Sequence, residues 1–415
     1  MKTKYLIFAV ISIVFTFTIA VYASFRQPPE FPDVNSHLTN GQLTEVEASL
    51  ASYVKAKPND PQANFALGTV QFLQAIEGFS QSLYRYGLDP KTGETFGIPF
   101  LRLPVPSNPN PDAIHYQTWR SMLQQFQEDL AKADKSLAKV EDNPVKLTID
   151  FGNIHLDLNG DSKITDGEEF WRIYSIYNPA IAELDEETLA FPIAFDTGDA
   201  YWLRGYGNLL SAIADMILAH DTKTVFETSG HLFFTGIESH RDFYSSLEAQ
   251  WNLNWVDILA TVHLLLRLEL VEPERMQNAL EHLQTTIALS RLSWDSILAE
   301  EDNDREWVPN PQQDSVIPAR VSQVQIDSWL SLLTEGEAVL KGEKLIPHWR
   351  VQAPNVGINL NRIFMEPQTL DFVLWVHGSG ISPYLESGEL TDRETWLALV
   401  QAFGRNFGGF SIWFN

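Results

Sequence analysis

Cysteine is absent from this 415-residue chain. That removes disulfides, thiolate-bound metals and a lipid-modified N-terminal cysteine together. Basic residues are scarce: 29 Lys and Arg stand against 54 Asp and Glu, a formal charge of −25. A field of that sign repels phosphate, which argues against nucleic acid and against anionic lipid as partners. Long apolar runs are missing too, save one. Lys2 and Lys4 precede an apolar stretch from Leu6 to Ala20, and Val21-Tyr22-Ala23 suits a small-residue cleavage site. This layout predicts a secretory signal peptide over 1–23, export to the periplasm or the extracellular space, and no membrane contact after cleavage. An uncleaved N-terminal membrane anchor is the alternative. Cleavage leaves 27 basic against 54 acidic residues.

With 44% hydrophobic and 12% aromatic residues, the rest of the chain has the material for a core. Strand signals are few and helical spacing is common. From Leu43, the residues Val46, Leu50, Tyr53 and Val54 share one helical face, ended by Pro58-Asn59-Asp60-Pro61. A second helix follows with Phe65, Leu67, Gly68, Phe72 and Ile76. Lys57-Pro58-Asn59-Asp60-Pro61 with Ala63 and Leu67-Gly68 resembles the junction between tetratricopeptide repeats. In that family proline ends one helix and the Leu-Gly pair lets the next helices approach. The junction occurs once, whereas a solenoid needs about three repeats, so a helical hairpin is expected. A Pro/Gly-rich loop over 88–111 precedes a helix over 112–140 striped by Trp119, Leu123, Phe126, Leu130, Ala133 and Leu137. Further helices are predicted over 198–220, 255–270, 273–300, 319–341 and 392–403, with Pro273 well placed at a first turn.

The stretch Asp157 to Glu168, DLNGDSKITDGE, has a recognisable ligand chemistry. Asp157, Asn159 and Asp161 supply side-chain oxygens at positions one, three and five. Lys163 offers its carbonyl at seven, Thr165 its hydroxyl at nine, and Glu168 a carboxylate at twelve. Ca²⁺ takes six to eight oxygens at about 2.3–2.6 Å, and this spacing delivers them from one turn. The dodecamer resembles the EF-hand loop family and is similar to the loops of bacterial dockerins, which implies a Ca²⁺ site with Ile164 packed inward. It departs from the family twice. Position six is Ser162 in place of glycine, at a cost of roughly 1 kcal/mol in the left-handed region. The preceding segment VKLTIDFGNIHLDL reads as extended, not as an entering helix. Glu168 to Tyr177 suits the exiting helix. An unpaired, imperfect loop implies weak affinity, about 10⁻⁴–10⁻³ M.

The fold class expected is mainly α: an irregular, tetratricopeptide-like array of helical hairpins with one small extended segment leading into a calcium loop. The domains expected are a tether over 24–40, an N-terminal helical region over 41–145, the calcium-loop segment over 146–177, and a C-terminal helical region over 178–415 packed on the first.

Other candidates for chemistry have simpler readings. Asp196 and Asp199 begin a helix, where carboxylates cap free amides. As a pair they would also suit acid/base hydrolysis of a glycan, with Asp199 facing Glu238 or Asp215. Arg204 and Asp215 read as an internal ion pair. His220, His231 and His240 lack the spacing of a helical metal pair. Trp375 to Gly380 lacks the full G-x-S-x-G elbow and reads as a helix-ending glycine turn. The acidic stretch Glu300 to Pro311 reads as a solvated loop with room for a second, looser cation site. Trp202, Trp255 and Trp329 sit at core spacing, whereas Trp307 looks displayed. The closing aromatic run reads as a packed tail.

Together these residues predict an exported Ca²⁺-binding helical protein with a structural or interaction role and a protein partner in the cell envelope. A secreted or periplasmic glycan-acting hydrolase using paired carboxylates is the alternative. The native protein is expected to begin near Ser24; mass spectrometry finding Met1 or Lys2 on a soluble cytosolic form would overturn the export expectation.

Overall fold

The computed structural model describes residues 29–89, 105–165, 167–177, 189–190, 192–237, 254–303, 305–314 and 321–403. The signal segment 1–23, most of the 88–111 loop, Glu238, His240 and the aromatic C-terminal run lie outside them. The protein is mainly helical, and strands among the described residues occur only as two-stranded pairs.

After a short α1 (Val34–Thr39), helix α2 (Leu43–Ala56) buries Leu43, Val46, Leu50, Tyr53 and Val54 along one stripe. Pro61 opens α3 (Pro61–Arg85), where its missing N–H costs nothing, and Asp60 caps the helix by accepting the Ala63 N–H at 3.1 Å. Helix α4 (Tyr116–Leu137) lies along α3, with Phe79 stacked on Phe126 at 4.7 Å between centroids. Gly68 makes that approach feasible. A Cβ there would sit 2.5 Å from Leu137 Cγ and 3.0 Å from its backbone nitrogen.

Beyond α5 (Phe170–Tyr177), helix α6 (Thr197–Leu218) packs on α4 and on α9 (Pro273–Ala299). Seven of its buried positions are small: Gly198, Ala200, Gly205, Gly207, Ser211, Ala212 and Ala214. Polar groups then bridge the two backbones. Ser293 Oγ donates to the Gly198 carbonyl at 2.9 Å and His282 Nδ1 meets Asn208 Oδ1 at 2.7 Å. The expected Arg204–Asp215 pair is not formed. Arg204 reaches Asp134 of α4 at 2.8 Å, and Asp215 takes Arg275 of α9 at 2.8 Å, because the two side chains leave α6 toward different neighbours.

The extended segment becomes β1 (Lys146–Asp150), paired antiparallel with β2 (Pro192–Asp196), Lys146 opposite Asp196 and Asp150 opposite Pro192. The partner strand thus comes from beyond the loop rather than from a local hairpin. The remaining helices are α7 (Lys223–Ser229), α8 (Asn254–Leu265), α10 (Gln323–Leu340), α11 (Leu360–Met365), α12 (Phe372–His377) and α13 (Arg393–Phe403). Three more strand pairs stitch them: β3 (Arg267–Leu268) with β6 (Leu370–Asp371), β4 (Lys344–Leu345) with β8 (Glu389–Leu390), and β5 (Val356–Ile358) with β7 (Leu385–Ser387). Gly378 closes α12 at φ +99°, the expected glycine turn.

Gly68→Ala tests the α3–α4 contact. Overpacking costs about 1–3 kcal/mol, against about 1 kcal/mol that alanine gains over glycine inside a helix. The variant is expected to unfold at lower denaturant with an unchanged slope; an equal or higher midpoint would show that Leu137 yields freely.

Candidate cation-binding loop and a second carboxylate cluster

Strand β1 ends in one tight turn at Phe151–Asn153, and the chain then runs extended with Ile154, Leu156 and Leu158 buried. That alternation leaves Asp157 between two anchored side chains. A bridge between His155 and Glu169 closes the base of the loop. Inside, the Asp157 carboxylate accepts the N–H groups of Gly160 (2.7 Å), Asp161 (3.1 Å) and Ser162 (3.0 Å). Asn159 Oδ1 accepts the Asp161 N–H at 2.8 Å, and Asp161 Oδ1 accepts the Lys163 N–H at 2.9 Å. These are successive Asx turns, each curling the backbone around its own side-chain oxygen. Gly160 and Ser162 take positive φ, +75° and +56°. Serine therefore occupies the left-handed position where the resemblance implies glycine.

Glu168 closes the loop from a buried position, 3% exposed. Its Oε1 accepts the Leu158 N–H at 3.2 Å, and its Oε2 accepts the Thr165 N–H at 3.1 Å and hydroxyl at 2.7 Å. The Glu168 N–H in turn donates to the Thr165 carbonyl at 3.1 Å, so the two residues are tied from both sides. Lys163 Nζ stands 3.3 Å from Asp161 Oδ2 on the exposed side. Helix α3 contributes two residues that sequence reasoning missed. Glu77 Oε2 accepts the Asp157 N–H at 2.8 Å, and Gln81 Nε2 donates to the Asp157 carbonyl at 2.8 Å. They lie four apart in an apolar helix, one turn of separation, which was the available signal. Burial, with the nearby charges of Asp157 and Glu168, pushes the Glu77 carboxyl up to about 7. Ile164 corrects the expectation of inward packing: it is 56% exposed.

A second group of acids gathers where β2 meets α6. Asp196 Oδ1 accepts the N–H groups of Gly198 (2.7 Å) and Asp199 (3.3 Å), and Asp199 Oδ2 accepts the Asp196 N–H at 2.9 Å. This is the expected cap, but the pair does not stand alone. Glu300, Asp302 and Glu306 each offer an oxygen, all within 4.8 Å of one another. Among the described residues this set meets that spacing, and the loop's three carboxylates do not. Burial, then the Asp196 charge, pushes Glu300 up to about 9. Burial, with Asp196 and Glu306 behind it, raises Asp199 well above the usual carboxylate range. Glu300 Oε1 meets no donor group of the protein, and the facing Asp196 carboxylate adds to the upward push on Glu300.

The expectation of a solvated loop at Glu300 to Pro311 is therefore corrected in its second half. Glu306, Trp307, Val308 and Asn310 are all buried. Trp307, expected to be displayed, is 5% exposed and meets Phe151 edge-on at 5.2 Å and Trp202 at 5.9 Å. The cause is tertiary: the Ala194 N–H donates to the Arg305 carbonyl at 3.2 Å and draws the segment onto β2. Asp215, a candidate acid, is spent on Arg275. His231 meets Asp257 at 3.3 Å and His220 the Met216 carbonyl at 2.8 Å, and neither lies in a metal-ligand group among the described residues. No family model, curated protein or solved structure matches the chain.

The acid cluster carries a pH signature. Glu300 and Asp199 hold protons in the folded state that the unfolded chain releases near pH 4–4.5, so their contribution to stability is complete below that range. It is lost as pH climbs through the folded value of about 9 for Glu300. In metal-free buffer the melting temperature of Glu300→Gln is expected to fall less between pH 6 and pH 10 than that of wild type; a parallel decline in both proteins would overturn the assignment.

Proposed function

We propose that this chain is an exported, Ca²⁺-binding helical protein in which the Asp157–Glu168 loop takes the ion and uses it to stabilise the fold. The ligands are Asp157, Asn159 and Asp161 through side chains, Lys163 through its carbonyl, Thr165 through its hydroxyl, and Glu168 through its carboxylate. The observation that carries the reading is Ser162 at φ +56°. A serine in that region is strained by about 1 kcal/mol, and such strain is retained where the surroundings over-determine it. Here it turns the Ser162 N–H onto Asp157 and keeps three oxygen-bearing side chains on one short arc. An ion there offsets repulsion among Asp157, Asp161 and Glu168 and takes Asp161 from Lys163.

A stabilising role fits better than a signalling one. The segment entering the loop is β1 and its extended continuation, locked to β2, so no pair of helices stands ready to open. The role is one of structure or interaction with an envelope partner. Asp196 and Asp199 are engaged at the start of α6, and this use lends the hydrolase alternative no support.

A ligand that binds only the folded state stabilises by about 2.7 kcal/mol at a hundredfold excess over Kd. Calcium titrated into chelator-treated protein is expected to raise the melting temperature by several degrees at saturation. Glu168→Gln is expected to abolish the calcium-dependent rise whatever its effect on basal stability, and Ser162→Gly to shift the rise to lower calcium. Identical midpoints with calcium and with chelator would overturn the proposal. A rise that survives Glu168→Gln but vanishes in Asp302→Asn would move the ion to the second cluster.

A further inference from the structure

The end of α6, the α7 turn and helices α8, α11 and α12 surround a cavity of about 550 Å³. It is built from elements other than the calcium loop, and its volume falls within the roughly 300–1,000 Å³ of small-molecule sites. Trp119, Phe233, Leu268 and Phe364 are typical of its walls, and no Asp, Glu, Lys or Arg lines it. A charged head group inside would lose its hydration with no Asp, Glu, Lys or Arg to replace it, which disfavours carboxylates, phosphates and ammonium groups as guests.

Its few polar groups narrow the guest further. Thr222 and Gln368 contribute polar side chains to the lining, and the Tyr384 hydroxyl is committed, donating to the Glu366 carbonyl at 3.0 Å. His220 lines the cavity and is buried, with Nδ1 2.8 Å from the Met216 carbonyl. A carbonyl only accepts, so Nδ1 carries the hydrogen, and Nε2 of the neutral ring is an acceptor. The approach is apolar too. Leu265 lines the cavity and is 45% exposed, and beside it on α8 Leu259 and Val262 are also exposed. The β3–β6 pair holds the end of α8 beside the start of α12, where Phe372 and Val373 are exposed in turn. A sparingly soluble guest thus meets an apolar surface before the apolar interior.

We propose that this cavity binds a long-chain amphiphile with an uncharged hydroxyl head. The alkyl chain fills the interior and the hydroxyl donates to His220 Nε2. The guest class is that of fatty alcohols and neutral acylglycerols.

Titration calorimetry of the full chain with 1-hexanol, 1-octanol and 1-decanol tests this, with octanoate at pH 8 as the charged counterpart. One site is expected, tightening about fourfold per added methylene, with octanoate at least tenfold weaker than octanol. His220→Phe is expected to weaken octanol about three- to tenfold while leaving the increment per methylene intact. Val225→Trp, which fills the cavity from α7, is expected to abolish binding; Leu268→Trp fills it from the other side should the first variant fail to fold by circular dichroism. No alkanol binding by folded wild type, a flat chain-length series, equal affinity for octanoate, or undiminished binding in a folded filling variant would each overturn the proposal. The last result would mean adsorption to the exposed face.

Discussion

Helix α6 is clamped between α4 and α9, and a relay of buried charges makes that clamp specific. Arg120 of α4 and Arg275 of α9 share Glu272, and Arg275 goes on to Asp215 of α6, which is 3% exposed. Removing one partner of such a buried pair typically costs about 3–5 kcal/mol, because the survivor is left desolvated. Arg120 also donates to the Leu218 carbonyl at 2.8 Å, tying off an orphan group at the end of α6. The rest of the molecule is placed by this helix. Its first turn presents Asp196 and Asp199 to Glu300, and its last turn forms one wall of the apolar cavity.

The two acidic sites differ in how they are held. In the 157–168 loop the carboxylates are absorbed by backbone N–H groups only a few residues away, so the turn is largely self-made. In the 196–306 cluster the acids come from two distant segments, and their crowding together with burial pushes Glu300 and Asp199 upward. Both arrangements concentrate negative charge, in a chain that already carries −25 overall. A divalent cation therefore meets a favourable long-range field at either site, and only the short-range oxygen geometry distinguishes them. Glu77 couples the loop to α3, since its carboxylate accepts the Asp157 N–H and holds that residue against the helix.

The helices were legible because apolar residues recur at helical spacing: Val46, Leu50 and Tyr53 are buried as their period requires, as are Leu123, Phe126 and Leu130. The cap at Asp196 was legible for the same local reason. Composition misled where burial depends on a distant partner. An acidic run reads as solvated, yet Glu306 and Trp307 are drawn in by the edge of β2. Ile164 reads as a core residue, yet it is 56% exposed. Arg204 and Asp215 share one helix but stand about three turns apart on it, and each answers to a different neighbour.

By itself, then, the sequence determined the helix-rich class, the turn that curls Asp157 to Glu168, and the caps and glycine stops, since all of these are satisfied within a few residues of chain. Only the tertiary structure decided which carboxylates crowd together, that Glu300 keeps a proton near neutral pH, and that an apolar cavity with one imidazole acceptor opens between α6 and α12. Those features arise from groups far apart in sequence, and local spacing carries no information on which desolvated surfaces will meet.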